Sequence, residues 1–406
     1  MNWLTVRDRG AYLRVTGVLF LVLAASGLTA PLLSNYIVTL GADTAQIGLV
    51  FTVYQIASLA SQYWWGQRSD RLGRRKPLVS LGMGGLALTL LASGLAPTYE
   101  VLYLTRIIEG LAFAAYSTGS LALIGDLIED QAQRGRLMGM YRMVGSLAFA
   151  ITALAGGWIA DTFGIRMPIY CAVGCFALGF LLVSTMREQP PAAAPQAAAP
   201  TVSDESVIAS INLQVLIPFL GLTFVWFFGM SSVVTLWPVF MKSEGYTQTQ
   251  ISGLWGLAAA GEVVWLFVVG LLADRVGRKW LLITGVVGQA CIYIAYTIAQ
   301  GFAWFLPIQA IRSFTYSSYE TPALLYATEL GLRQRRGRLA GLYHTASGIG
   351  GVLGAAFGGS VAKAIGMRPM FWIVAGVMIL LAVIAAIMMP NRVAPAPAMQ
   401  SQPASA

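Results

Sequence analysis

The sequence predicts an all-α membrane protein of twelve transmembrane helices in two six-helix bundles, and three observations carry that prediction. Uncharged apolar runs recur along the chain, a basic loop motif occurs twice at half-chain spacing, and the basic residues fall on alternate loops. Of the 406 residues, 57% are hydrophobic and only 11% are charged, against about 25% charged in a soluble domain. Pro77 to Ala96, Ile169 to Met186, Trp280 to Ala299 and Met370 to Met389 hold no charge at all. Each is near the ~20 residues with which a helix crosses the hydrocarbon. A helix satisfies its own backbone hydrogen bonds in lipid, which an open sheet cannot do.

The duplication is detailed. Gly66 to Lys76 reads G-Q-R-S-D-R-L-G-R-R-K and Gly270 to Lys279 reads G-L-L-A-D-R-V-G-R-K, with Asp274 following Asp70 at 274 − 70 = 204 residues. R-G-R-L-M-G-M-Y at Arg134 returns as R-G-R-L-A-G-L-Y at Arg336, at 336 − 134 = 202 residues. Gly156-Gly157 and G-I-R at Gly164 return at Gly358-Gly359 and Gly366 with the same offset. A period of half the chain marks a duplicated unit. Crossings are expected near 13–37, 45–67, 77–96, 101–123, 137–160 and 168–186, then 213–239, 248–271, 280–299, 303–325, 339–361 and 370–389. Six crossings return the chain to its starting side, so the copies run parallel. The units are therefore 1–186 and 213–390, joined by an Ala/Pro-rich linker at 187–212 and followed by a tail at 391–406. Both of these segments are expected to be extended and disordered on the cytoplasmic side.

Charge gives the orientation. With both termini cytoplasmic, inner loops and ends hold 19 of the 26 Lys and Arg, outer loops hold Arg166, Lys242, Lys363 and Arg368, and Arg106, Arg142 and Arg312 lie within helices. That is a positive-inside distribution. The net charge of +9 thus describes topology in a cell (inner) membrane rather than affinity for nucleic acid. Treating Val18 to Ala25 as a cleaved signal would remove the first crossing and break the duplication, so it is kept as a helix. Cys171, Cys175 and Cys291 are too few for a disulfide framework and are expected to be small packing residues.

The Gly66 to Lys76 run resembles the loop signature of the major facilitator superfamily, and Gly270 is where that superfamily has its weaker copy. The resemblance covers the chain apart from linker and tail. It implies two bundles that alternate between inward-open and outward-open states around a central cavity, transporting a small molecule. It also implies a gating role for Gly66, Asp70, Arg71, Gly73 and Arg74, with Asp126 nearby, and for Asp274 and Arg275 in the second copy. L-Y-L-T-R-I-I-E-G-L-A-F-A-A from Leu102 is similar to the fourth-helix motif of the drug/proton antiporter branch, with Arg106 at its arginine and Glu109 where Gln is usual. The branch's Gly-Pro kink in the fifth helix is absent, where the chain has Ala148, Thr152, Ala153 and Gly156-Gly157.

Charges within crossings are costly and mark candidate sites. Arg106 and Glu109 lie i, i+3 on the fourth crossing and either serve a cavity or neutralise each other. Arg142, on the fifth, is placed to pair with Asp126; His344 stands at its repeat position and reads as a buried histidine bonded to a neighbour. Glu262 stands mid-crossing on the eighth with no basic residue within two turns. A carboxyl there holds a proton until water or a cation reaches it, with Arg312 and His344 as candidate partners. Arg312, Tyr316, Tyr319 and Glu320 form one polar stripe on the tenth. Proton coupling is thus assigned to Glu262, Glu320 and Glu109, and cargo contact to Arg106, Arg312, Tyr316, Tyr319 and Trp226. Trp237 and Trp304 are expected in the interfacial belt.

One histidine and no cluster at metal-ligand spacing argue against an intramembrane enzyme or a metal site. No G-x-x-x-x-G-K-[ST] loop is present, so an ion gradient rather than ATP is the expected energy source and no cofactor is expected. The expected function is proton-coupled export of amphipathic compounds by a monomer in the lipid bilayer. A sugar or metabolite carrier is the alternative, and a non-transporting receptor or scaffold a third.

Overall fold

The computed structural model describes residues 8–128, 131–186, 213–329 and 336–389. The linker and tail lie outside the described residues, as do the side chains of Asp70, Asp126 and Asp274. All described elements are helices. The first half comprises Arg9–Thr29 with the short Leu33–Thr39, then Thr44–Leu72, Lys76–Gly94, Glu100–Leu127, Gln131–Phe163 and Met167–Ser184. The second comprises Leu213–Gly229, a π turn Met230–Val234 and Thr235–Ser243, then Gln248–Val276, Arg278–Ile298, Phe302–Glu329, Arg336–Ile365 and Met367–Met388. These are crossings one to six and seven to twelve. Ten of them are apolar enough to cross a membrane on length and composition alone. The second and tenth are as long but more polar, carrying Gln46, Gln55 and Gln62, and Gln309, Arg312 and Glu320.

Two crossings expected as single helices are interrupted. The first stops at Thr29 and resumes at Leu33, because Pro31 has no N–H to donate and its ring obstructs the preceding turn. The seventh carries Pro218 and Pro238 on either side of its π turn, so its hydrogen-bond ladder is weakened at three places. The start signals are duplicated too. Asp43 and Thr247 cap the second and eighth crossings, each with a capping box closed by Gln46 or Gln250. The glycine of the twice-occurring basic motif ends these same helices, Gly73 at φ +58° and Gly277 at φ +89°, where a side chain would be strained.

Within each half the outermost helix packs mainly on two neighbours: the sixth on the first and third, the twelfth on the seventh and ninth. Across the halves the second meets the eleventh and the fifth meets the eighth. The glycine doublets make both kinds of contact possible. Gly156 lies on the Leu28 backbone and Gly358 on the Ser232 backbone, each within its own half. Their neighbours face the other half, Gly157 against Gln248, Thr249 and Ser252, and Gly359 against Thr44 and Gly48. Without a hydrophobic effect between helices in lipid, close backbone approach of this kind supplies the packing attraction.

Leu13, Leu88, Phe267 and Ile387 are exposed on the outside, where lipid is the solvent. Two expectations are corrected here. Cys171 and Cys291 are exposed rather than packed, and only Cys175 is partly covered. Trp237 is no belt residue: it is buried, 5.2 Å from Tyr296, because the seventh crossing turns that face inward, whereas Trp304 is exposed as expected.

The halves close on each other at the end away from the basic loops. Asp161 accepts from the backbone N–H groups of Gln248 (3.0 Å) and Thr249 (2.7 Å) and from the Thr249 hydroxyl (2.6 Å). Lys363 pairs with Asp43 at 2.7 Å. Asn35 donates to Gln248 Oε1 at 3.0 Å, and the Ser34 hydroxyl to the Thr235 carbonyl at 2.5 Å. The Lys363 ammonium, with the Gln46 N–H helping, holds the Asp43 carboxyl below the usual carboxylate range.

Candidate functional site

The closed end roofs a cavity of about 390 Å³ between the halves. Phe51, Tyr54 and Gln55 reach it from the second crossing, Arg106 and Glu109 from the fourth, Phe227 from the seventh and Trp255 from the eighth. Its wall is amphipathic. Its aromatic rings share the wall with Ser26, Thr29, Ser34, Ser231 and Thr235, which come from the first and seventh crossings.

Arg106 is the charge at the first-half wall. It is buried, its Nη1 lies 2.7 Å from Glu109 Oε1, and its guanidinium stands 5.3 Å from the Phe51 ring centroid and 5.0 Å from that of Tyr54. The pairing reading of these two residues therefore holds geometrically. The pair is not fully satisfied, because Arg106 Nε and Glu109 Oε2 are buried without a hydrogen-bond partner among the described residues. In a site of low polarity each such atom costs free energy, which a ligand or water can recover.

The second-half cluster forms on three helices. Trp226 is fully buried, stacks on Tyr319 at 4.2 Å between centroids, and donates Nε1–H to Glu320 Oε1 at 3.1 Å. Tyr316 lies 6.0 Å from Trp226, and the Arg312 guanidinium 6.0 Å from Tyr316. Arg312 Nη1 comes to 3.9 Å of Glu262 Oε1, close enough to attract and too far to hydrogen-bond. The stripe expected on the tenth crossing is thus one physical unit with Glu262 and Trp226. It is not in the wall of the cavity that Arg106 and Glu109 line.

The remaining expected residues are placed as follows. His344 is exposed and packs edge-on to Tyr343 at 5.4 Å, so it is neither buried nor the partner of Glu262; its face of the eleventh crossing looks away from the second-half core. Arg142 is exposed. In the loop signature Arg71, Arg74 and Arg275 are exposed, Gly66 and Gly73 are half-buried, and Arg75 donates to Ser69 Oγ at 2.6 Å. Among the described residues no group of three or more His, Cys, Asp or Glu is placed to hold a metal ion.

Sequence reasoning missed Gln55, whose Nε2 donates to Ser231 Oγ at 2.9 Å across the halves. An amide in the middle of a crossing was the available signal, overlooked because it carries no charge. It also missed Asp161, which sits at the end of its helix where an acidic residue reads as solvated.

The model of the Major Facilitator Superfamily matches residues 15–330, with a second match over 256–404. The chain belongs to the Major Facilitator Superfamily. "Multidrug resistance protein 2" of Bacillus subtilis (strain 168) is 24% identical over 350 residues, covering 84% of this chain and 86% of its own. "Sugar efflux transporter A" of Escherichia coli (strain K12) is 23% identical over 391 residues, covering 92% and 96%. Among solved structures, a bacterial homolog of the human lysosomal transporter Spinster, in an inward-facing and unoccupied conformation, superposes with a TM-score of 0.79 at 16% identity, over 95% of this chain and 98% of that one. This superfamily member is a membrane transport protein and not an enzyme.

Proposed function

We propose that the chain is a proton-coupled exporter of amphipathic organic compounds, oriented with both termini in the cytoplasm and working as a monomer. The observation that carries the reading is the Glu262–Arg312 pair, a half-buried carboxylate and a buried guanidinium 3.9 Å apart on two different helices, the eighth and the tenth. An unprotonated Glu262 needs a cation beside it in this environment, and a protonated one does not. Movement of the tenth crossing against the eighth therefore exchanges Arg312 for a proton. Cargo that favours one arrangement drives proton release from it by linkage.

In this reading the basic loops face the cytoplasm, so the closed end is the outer one and the conformation is inward-facing. Cargo enters from the cytoplasmic side into the aromatic cavity, where Phe227, Trp255, Phe51 and Tyr54 take its apolar body. Glu109 and Glu320 are further proton carriers, and the loop signature around Asp70 and Arg74 forms the inner gate. Asp70→Asn, which keeps shape and removes charge, is expected to slow turnover in protein that still elutes as a folded species in detergent.

A second reading, sugar or metabolite transport, is favoured by the hydroxyl-lined portion of the wall and by the near full-length likeness to a protein named as a sugar efflux transporter. Proteoliposomes with the cytoplasmic side outward and an acid interior separate the two. They are expected to accumulate rhodamine 6G and to stop when the gradient is collapsed. Uptake of a sugar panel without rhodamine 6G would establish the second reading, and uptake indifferent to the gradient would remove proton coupling.

A further inference from the structure

The geometry points to Gln55 as the residue through which cargo occupancy reaches the outer closure: its bond to Ser231 is a latch between the halves, set inside the cavity, that a hydrogen-bond-accepting group on the cargo displaces. The inference rests on the cavity being the cargo site. Gln55 comes from the first half, and its Nε2–H is donated 2.9 Å to Ser231 Oγ of the second. Both side chains are in the cavity wall. Among the described residues, other polar side chains that bridge the halves sit higher, at the closed end, such as Asn35 with Gln248, Asp161 with Thr249, and Lys363 with Asp43. Cargo packed against Tyr54, the neighbour of Gln55, therefore meets this amide before it meets the closure.

The surroundings hold the amide in place. A Cβ at Gly351 of the eleventh crossing would overlap Gln55 Oε1, so the bare backbone there leaves the amide its seat. On the other side of the bond, Ser231 lies in the π turn Met230–Val234, one of the points where the seventh crossing's own ladder is weakened. Directly beyond that turn begins Thr235–Ser243, whose Thr235 carbonyl accepts from Ser34 at the closure. Tension on Ser231 thus reaches the roof within one turn of helix. The amide donor fixes the chemistry of what can replace Ser231: a carbonyl, ether or hydroxyl oxygen, not a bare hydrocarbon or quaternary cation.

The test uses the full chain with Cys171, Cys175 and Cys291 changed to Ser and spin labels at Glu100→Cys and Gln300→Cys on the outer loops. Without any cargo, Gln55→Ala and Ser231→Ala are each expected to raise the outer-open population about two- to tenfold, the effect of one neutral hydrogen bond. The double variant should raise it no further than either single one. Rhodamine 6G, which carries an ester carbonyl, is expected to open the parent, whereas tetraphenylphosphonium, which has no acceptor, leaves its distance distribution unchanged. Gly351→Ala, which crowds the amide, should behave like Gln55→Ala. Unchanged cargo-free populations in both alanine variants, or additive effects in the double, would overturn the latch whatever the cargo is. Equal opening by the two probes would overturn its displacement by an acceptor. Failure of both probes to bind, with the cargo-free shifts as expected, would leave the latch standing and defeat the drug-like cargo reading instead.

Discussion

The two halves descend from one pattern yet carry their buried charges differently. In the first half the pair Arg106–Glu109 is closed at 2.7 Å on one helix; in the second Glu262 and Arg312 face each other at 3.9 Å from two helices, and Glu320 is held by Trp226 from a third. A pair within one rigid helix keeps its distance however the bundle moves. A pair between helices can be made or broken by sliding one against the other. The difference makes the second-half pair the one that helix movement can open and leaves the first-half pair fixed in distance, and four experiments can break or sharpen its link to the proposed proton exchange.

The largest effect is expected from Glu262→Gln, which mimics the protonated carboxyl permanently. Accumulation driven by a pH gradient should fall to the level of protein-free vesicles, while exchange of cargo across the same membranes continues. If accumulation survives, the proton travels elsewhere and Glu320 is the next residue to replace. Second, Arg106→Ala leaves the largely covered carboxylate of Glu109 without its partner and is expected to cost up to about 3 kcal/mol of stability. Adding Glu109→Ala should restore most of the melting temperature in detergent. A stable Arg106→Ala protein with weakened cargo binding would instead make the first half a working site like the second.

The third and fourth experiments compare the halves at the closed end. Asp161 reaches from the first half to the start of the eighth crossing, and Lys363, its repeat counterpart, reaches from the second half to Asp43. Asp161→Asn keeps an acceptor and loses the charge that suits a helix N-terminus. An increase of about tenfold in labelling of an outer-end cysteine is expected, since bonds to charged groups exceed neutral ones. Asp43→Asn should do least, because an exposed ion pair contributes little and Asn still caps a helix. Its signature is in the pH dependence. The carboxyl of Asp43 is held low, so its contribution is fully present above the ordinary carboxyl range and is lost as pH falls through the lowered value. Wild type and Asp43→Asn should therefore differ in melting temperature at about pH 7 and converge as acidification passes below the ordinary carboxyl range.

Much of the fold was legible because lipid imposes its rules on sequence directly: uncharged runs gave the crossings, and Arg134 with Arg336, or Gly156 with Gly358, gave the repeat. The breaks were less visible. Pro31 was in plain view, but the π turn at Met230 has no marker beyond two serines between prolines. Of the site, Arg106, Glu262 and the tenth-crossing stripe stood out because charge in a crossing is conspicuous. Their division into two clusters did not, since it depends on which faces the bundles turn to each other. Gln55 and Asp161 act across the halves, and nothing local to either residue encodes its partner.

The contrast between Asp161 and Lys363 also bears on which half may pair with which. Two first halves placed face to face would set the carboxylate of Asp161 against a helix start already occupied by the carboxylate of Asp43, an anion meeting an anion. Two second halves would set the ammonium of Lys363 against the N–H groups at Gln248 and Thr249, a cation meeting the positive end of a helix. Only the mixed pairing satisfies both ends. After duplication of a unit able to bind its own copy, one such change of sign is enough to make self-association unfavourable and assembly with the other half the preferred outcome. The two halves, made as separate polypeptides, should accordingly find each other and not themselves.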